Sequence, residues 1–255
     1  MIHVSLFILF LLGCLPFIWA WFALKATSLR HAALWAAAAW LSWGPVLTGI
    51  TTEPVAGFIA LAATACAGVA VLGARRPHVL AWNFVVLGLL AVMILPLLES
   101  WILGGRPFGP VRLFFLGATL AVGIGNYLPT CFGPAALLVG LGCGGELLAL
   151  ADPDQTAPTI DLVRRLGLLA APWLALACSC SRWRRRSASA LDRAWLDFRD
   201  RFGLFWGMRV KEQFNNVARH AGSAVSLSWS GRSGDGGADE TVIVADFQAV
   251  VQRFV

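Results

Sequence analysis

For its first 181 residues the chain alternates long apolar stretches with short polar breaks, and then its rhythm changes. Seven apolar stretches stand out, over residues 2–24, 32–50, 55–72, 79–98, 113–128, 134–150 and 166–181. Each approaches the ~20 residues that a helix needs to cross about 30 Å of hydrocarbon. They are continuous rather than alternating, so they predict helices, the form that satisfies its own backbone hydrogen bonds in lipid. The predicted fold class is therefore an all-α polytopic transmembrane helix bundle of about seven helices over residues 1–181. Only Pro129, Thr130, Cys131, Phe132 and Gly133 separate the fifth stretch from the sixth. That spacing fits a tight hairpin or a re-entrant pair, and six spans is the alternative count.

From Ser189 onward the apolar positions recur at three- and four-residue steps: Leu191, Trp195, Phe198, Phe202, Phe205, Trp206, Val210, Phe214 and Val217. Charged residues occupy half of the intervening positions, which predicts an amphipathic helix of roughly 30 residues. Ser189, with Asp192 three places on, has the spacing of a capping box. Gly203 and Gly207 weaken the helix and predict a bend. Beyond Gly222, Val225, Leu227 and Trp229 alternate with small residues, as a strand does. A Gly- and Ser-rich loop over 230–239 then leads to a second predicted strand over 241–245 and a short closing helix. The chain thus divides into a bundle (1–181), a basic aromatic amphipathic helix (182–220) and a hairpin-plus-helix tail (221–255). The last two form a small α+β unit with little core of its own.

Composition supports the membrane reading. The 255 residues are 58% hydrophobic and 13% charged, with a mean hydropathy of +0.72, whereas soluble domains sit near 45–50% apolar and about 25% charged. The net charge of +6 is concentrated: residues 182–220 carry ten Lys/Arg against four Asp/Glu. A short basic run directly after an apolar stretch points to a lipid surface, and the interleaved acids argue against nucleic acid as a partner. Basic residues in the short loops set the orientation. Lys25, Arg30, Arg75, Arg76, Arg182, Arg184, Arg185 and Arg186 fall on one side; Arg106, Arg112, Arg164 and Arg165 fall on the other. This bias predicts an external N-terminus and a cytosolic C-terminus. Trp19, Trp21, Trp35, Trp82 and Trp183 gather at the same cytosolic boundary, as an aromatic belt does. Arg outnumbers Lys eighteen to two, a bias that suggests a bacterial source and hence the inner membrane.

Two groups of residues carry the candidate chemistry. The first is the tail surface: Arg182, Arg184, Arg185 and Arg186 as a stop-transfer cluster able to meet anionic headgroups, with Trp195, Phe198, Phe202 and Trp206 as an aromatic stripe. The stripe can lie among headgroups, form the core beneath the hairpin, or fill the groove of a protein partner. The second is a set of carboxylates that are costly in or near lipid. Glu146, set among Gly140, Gly142, Gly144 and Gly145, is the deepest. Glu53, Glu99, Asp152, Asp154 and Asp161 fall toward the same outer face. Together they could line an acidic vestibule for a cation or amine-bearing solute; alternatively Glu146 pairs with Arg106, Arg112, Arg164 or Arg165.

Other features read as packing. Trp40, Trp43 and Trp173 lie toward mid-membrane, and Gly117, Ala121 and Gly125 form a ladder of small residues suited to a helix contact. Asn126 and Tyr127 supply polar groups at the cytosolic end of the fifth stretch. The four histidines stand at span ends or in the tail, and six cysteines are dispersed, so no cofactor or metal is expected. No nucleotide-binding loop or hydrolase signature is present. The expected function is a non-catalytic inner-membrane subunit, assembly factor or anchor with a cytosolic interaction tail. The alternatives are a small transporter with Glu146 in its path, and an intramembrane enzyme on lipid-linked substrates using Glu146 with Asp152 or Asp154.

Overall fold

The computed structural model describes residues 2–51, 53–74, 79–103, 108–152, 158–182, 189–223, 225–234 and 240–252. Among them, helices α1 (Ile2–Leu12), α2 (Cys14–Ala23), α3 (Arg30–Thr48), α4 (Pro54–Leu72) and α5 (Val79–Leu103) are followed by α6 (Pro110–Tyr127), α7 (Gly133–Ala151) and α8 (Pro158–Arg182). The tail contributes α9 (Ala190–His220), strands β1 (Ser226–Ser228) and β2 (Gly231–Ser233), and α10 (Glu240–Val251).

Among the described residues, five helical segments are long and apolar enough to cross a membrane: Val4–Ala23, Pro54–Leu72, Leu80–Leu103, Gly133–Ala151 and Asp161–Ser181. The chain is thus a helical membrane protein. Helices α3 and α6, at 19 and 18 residues, have the length but are diluted by Arg30, His31 and Ser42 in one and Arg112, Asn126 and Tyr127 in the other.

Helix α4 is the centre of the bundle, touching α3, α5, α6 and α7. Its composition explains its place, because Ala, Gly and Cys let neighbouring backbones approach. Where α4 crosses α6, a Cβ on Gly68 would fall 2.9 Å from the Gly123 Cα, so main chain rests on main chain. This corrects the expected ladder: Gly117 has only an ordinary approach to Leu147, and Gly125 meets nothing within 4 Å. Helix α5 is the opposite of α4; Leu80, Phe84, Leu87, Val92 and Trp101 point outward.

The first apolar stretch is interrupted at Gly13, where the Trp40 ring leaves no room for a Cβ. Trp40 stacks on Phe10 with centroids 5.3 Å apart and donates its indole N–H to the Phe10 carbonyl at 3.3 Å. Trp43 donates to the Thr64 hydroxyl at 2.9 Å. Trp40 and Trp43 therefore pack with their polar atoms satisfied, while Trp173 is exposed.

In the tail, Ser189 caps α9 as its spacing predicts, its hydroxyl accepting from the Asp192 N–H at 3.1 Å. The second strand differs from expectation. It is Gly231–Ser233, paired antiparallel with β1 so that Leu227 faces Arg232, while residues 241–245 belong to α10. The reason is periodicity: Ile243, Phe247 and Val251 recur every four residues and are all buried, which is a helical face. Trp195 meets Trp229 and Phe247 edge-on, and Phe198 and Phe214 meet the same Phe247 ring.

Candidate functional site

At one end of the bundle lies Glu146, one turn from the end of α7 and only 4% exposed. A Cβ on Gly57 of α4 would collide with its carboxylate, so the glycine makes its space. Arg164 of α8 pairs with Glu146 and, through its other terminal nitrogen, with Asp161 one turn earlier. Arg165 reaches the second oxygen of Asp161 at 2.9 Å. Two carboxylates and two guanidinium groups thus balance at the α7–α8 interface, the pairing that burial of a charge demands. Glu99 forms a separate, exposed pair with Arg112 at 2.8 Å. Glu53 stands exposed just before α4, its N–H donating to the Thr51 hydroxyl at 3.0 Å. Glu146 and Glu99 thus sit in separate ion pairs with different arginines. Asp152 is exposed at the end of α7, and Arg106 and Asp154 lie outside the described residues. Among the described residues, no cluster of three or more His, Cys, Asp or Glu has the arrangement of a metal site.

The opposite end is built around Asn126, in the last turn of α6 and fully buried. Facing it, α9 is broken at Gly203, whose φ of 79° and ψ of −166° belong to a region open essentially to glycine alone. The Asn126 side chain fills the break. Its Oδ1 accepts from the Phe205 N–H at 3.0 Å, and its Nδ2 donates to the Phe202 carbonyl at 3.3 Å. One amide thereby satisfies a donor and an acceptor that the kink takes out of helical pairing. A Cβ on Gly203 would collide with that amide.

Around this clamp the tail satisfies other backbone groups of the bundle. Tyr127 donates to the Arg201 carbonyl at 3.0 Å, and the Cys131 N–H donates to Asp200 at 3.3 Å. Two indoles cap carbonyls near helix ends: Trp206 donates to Val71 at 3.3 Å and Trp229 to Pro129 at 2.9 Å. Arg199, 7% exposed, donates to the fully buried Asp200 at 2.6 and 3.0 Å and to the Trp229 carbonyl at 2.7 Å. This pair ties α9, the hairpin and the α6–α7 turn together.

Of the three placements open to the aromatic stripe, Trp195, Phe198 and Phe202 take the core beneath the hairpin, and the surface contact expected of them is corrected. Trp195, Phe198 and Phe202 are 0%, 4% and 1% exposed, because their rings form the core between α9, the hairpin and α10. Trp206 is partly buried against the bundle. Arg182 ends α8, whereas Arg184, Arg185 and Arg186 lie outside the described residues. The residues that organise this end and escaped sequence reasoning are Arg199 and Asp200. Two adjacent opposite charges next to Phe198 in an apolar stripe were the available signal.

Between the tail and the bundle interior runs a cleft of about 870 Å³. Its deep end is closed by Trp40, Trp43 and Thr64, and its mouth by Arg193, Asp197, Asp200 and Arg201 of α9. Small residues of α2, α3, α4, α6, α7 and α8 line it together with larger apolar side chains such as Phe17, Leu120 and Ile124.

No known protein family, curated protein or solved structure matches this chain.

Proposed function

We propose that this protein is a non-catalytic, multi-pass subunit or anchor of a bacterial inner membrane that holds a folded cytosolic unit at a fixed position on the bilayer. In this reading all seven apolar stretches cross, α3 and α6 among them, with the N-terminus outside and the C-terminus in the cytosol. The observation that carries the proposal is the Asn126 clamp on the broken helix α9, together with the indole caps around it. Such a joint fixes orientation, which an adaptor needs and a mere tether does not. It also leaves one side of α9 open, where Phe205, Met208 and Val217 are exposed beside Arg209 and Glu212. An exposed apolar strip rimmed by charge is the kind of surface that proteins recognise.

The test is purification of the full chain from its own membranes in a mild detergent, as wild type and as Met208→Glu. A stoichiometric protein partner held by the wild type and lost from the variant is the expected result. Wild-type protein recovered alone contradicts the reading. The transporter alternative has less support, because Glu146 is engaged by Arg164. Unchanged solute uptake by Glu146→Gln would dismiss it.

A further inference from the structure

The cleft beneath α9 has walls, a depth and a mouth that together specify an occupant. Its walls are mostly apolar, and Ala36, Ala67, Ala136 and Ala175 leave open the space that larger side chains would fill. At its deep end the polar atoms are already used: the Thr64 hydroxyl accepts from Trp43 and donates to the Ala60 carbonyl. A polar solute would therefore lose its hydration there without recompense. Along α8 the lining extends from Leu168 to Ser179, about 16 Å at the α-helical rise. That is roughly half the thickness of the hydrocarbon core, the depth of one leaflet and of one extended acyl chain.

The mouth is polar and unbalanced. Arg193, Asp197 and Arg201 follow one another at four-residue spacing on α9, all lining the cleft. Asp197 pairs with Arg201 at 2.9 Å. Arg193, by contrast, is exposed and has no carboxylate partner among the described residues. Asp200 is fully buried and neutralised by Arg199. The mouth thus carries one uncompensated positive charge.

We propose that the cleft holds an acyl chain of an anionic glycerophospholipid from the leaflet on the tail side, with its phosphate at Arg193. The chain satisfies the apolar walls, and the phosphate balances Arg193. A phosphocholine lipid brings a phosphate without net charge, and a free fatty acid brings no phosphate. The site is independent of the partner reading, since lipid retention is expected whether or not a protein copurifies.

The experiment is native mass spectrometry of the full-length, delipidated protein in mild detergent, with added phosphatidylglycerol, phosphatidylcholine or palmitate. One phosphatidylglycerol per chain is expected to be retained, with about fivefold preference over phosphatidylcholine, the weight of one basic residue at a lipid surface. Arg193→Gln, at an exposed position, should remove that preference while the protein stays folded. Ala175→Trp, which fills the cleft, should lower occupancy by both phospholipids at least about tenfold. Equal retention of the two phospholipids by the wild type would overturn the proposal, as would displacement by equimolar palmitate. So would unchanged binding in a folded Ala175→Trp protein. If that variant does not fold, Arg193→Gln decides the matter alone, and preserved preference counts against the site.

Discussion

The two ends of the bundle solve the same problem, polar groups that must not face lipid, by opposite means. At the Glu146 end the solution is side chain to side chain: a carboxylate, a second carboxylate and two arginines cancel one another between α7 and α8. At the Asn126 end one buried ion pair, Arg199 with Asp200, is joined by contacts of side chain to backbone, with an amide, a phenol and two indoles meeting main-chain groups. The first arrangement links two neighbouring bundle helices and is local. The second links segments about eighty residues apart, Asn126 to Phe205, and turns a terminal tail into part of the fold. Ion pairs tolerate some sliding of their partners; a side-chain amide inserted in a broken helix admits a single register.

The comparison can be broken most forcefully at the ion-pair end. Arg164→Met would leave Glu146 buried without its principal cation, and a loss of about 3–5 kcal/mol in reversible unfolding in mixed micelles is expected. Replacing both members, as Arg164→Met with Glu146→Leu, should recover most of that loss, because an apolar pair can substitute for a buried ionic one.

At the other end, Gly203→Ala should cost about 3 kcal/mol, combining backbone strain at a positive φ with the collision against Asn126. Asn126→Ala should cost about 1–3 kcal/mol by leaving the Phe205 N–H and the Phe202 carbonyl unpaired. Limited proteolysis should then cut near residue 203 in either variant before the bundle is attacked. The smallest effect is expected for Glu99→Gln. Its pair with Arg112 is about half exposed on each side, so a change within about 1 kcal/mol is anticipated, and a larger one would mean that this end is more than locally balanced.

The difference between the ends also explains what could be read in advance. Helices, their order, the Ser189 cap and the bend near Gly203 follow from local spacing, and local spacing is what a sequence displays. The cost of Glu146 and its arginine neighbours were likewise legible, since they stand within twenty residues of one another. The identity of its partner was not, because four arginines were available and only packing chooses. Asn126 stood out as a polar residue at a helix end, but its counterpart lies in the tail, and no periodicity connects the two. The stripe of Trp195, Phe198 and Phe202 was visible as apolar, whereas its burial depends on α10, whose first residues, 241–245, read as a strand and whose later ones read as a closing helix. The cleft is the least legible feature of all. It consists of volume that small residues on six helices leave unfilled, and a one-dimensional pattern records side chains rather than gaps.

The central claim is that Asn126 locks the tail onto the bundle through the break in α9. Amide hydrogen exchange over residues 202–206, measured on the intact protein in lipid nanodiscs, addresses it most directly. Slow exchange at Phe205 in the wild type, becoming fast in Asn126→Ala while α4 stays protected, is the predicted outcome. Fast exchange at Phe205 in the wild type, or protection unchanged by the substitution, would contradict the lock.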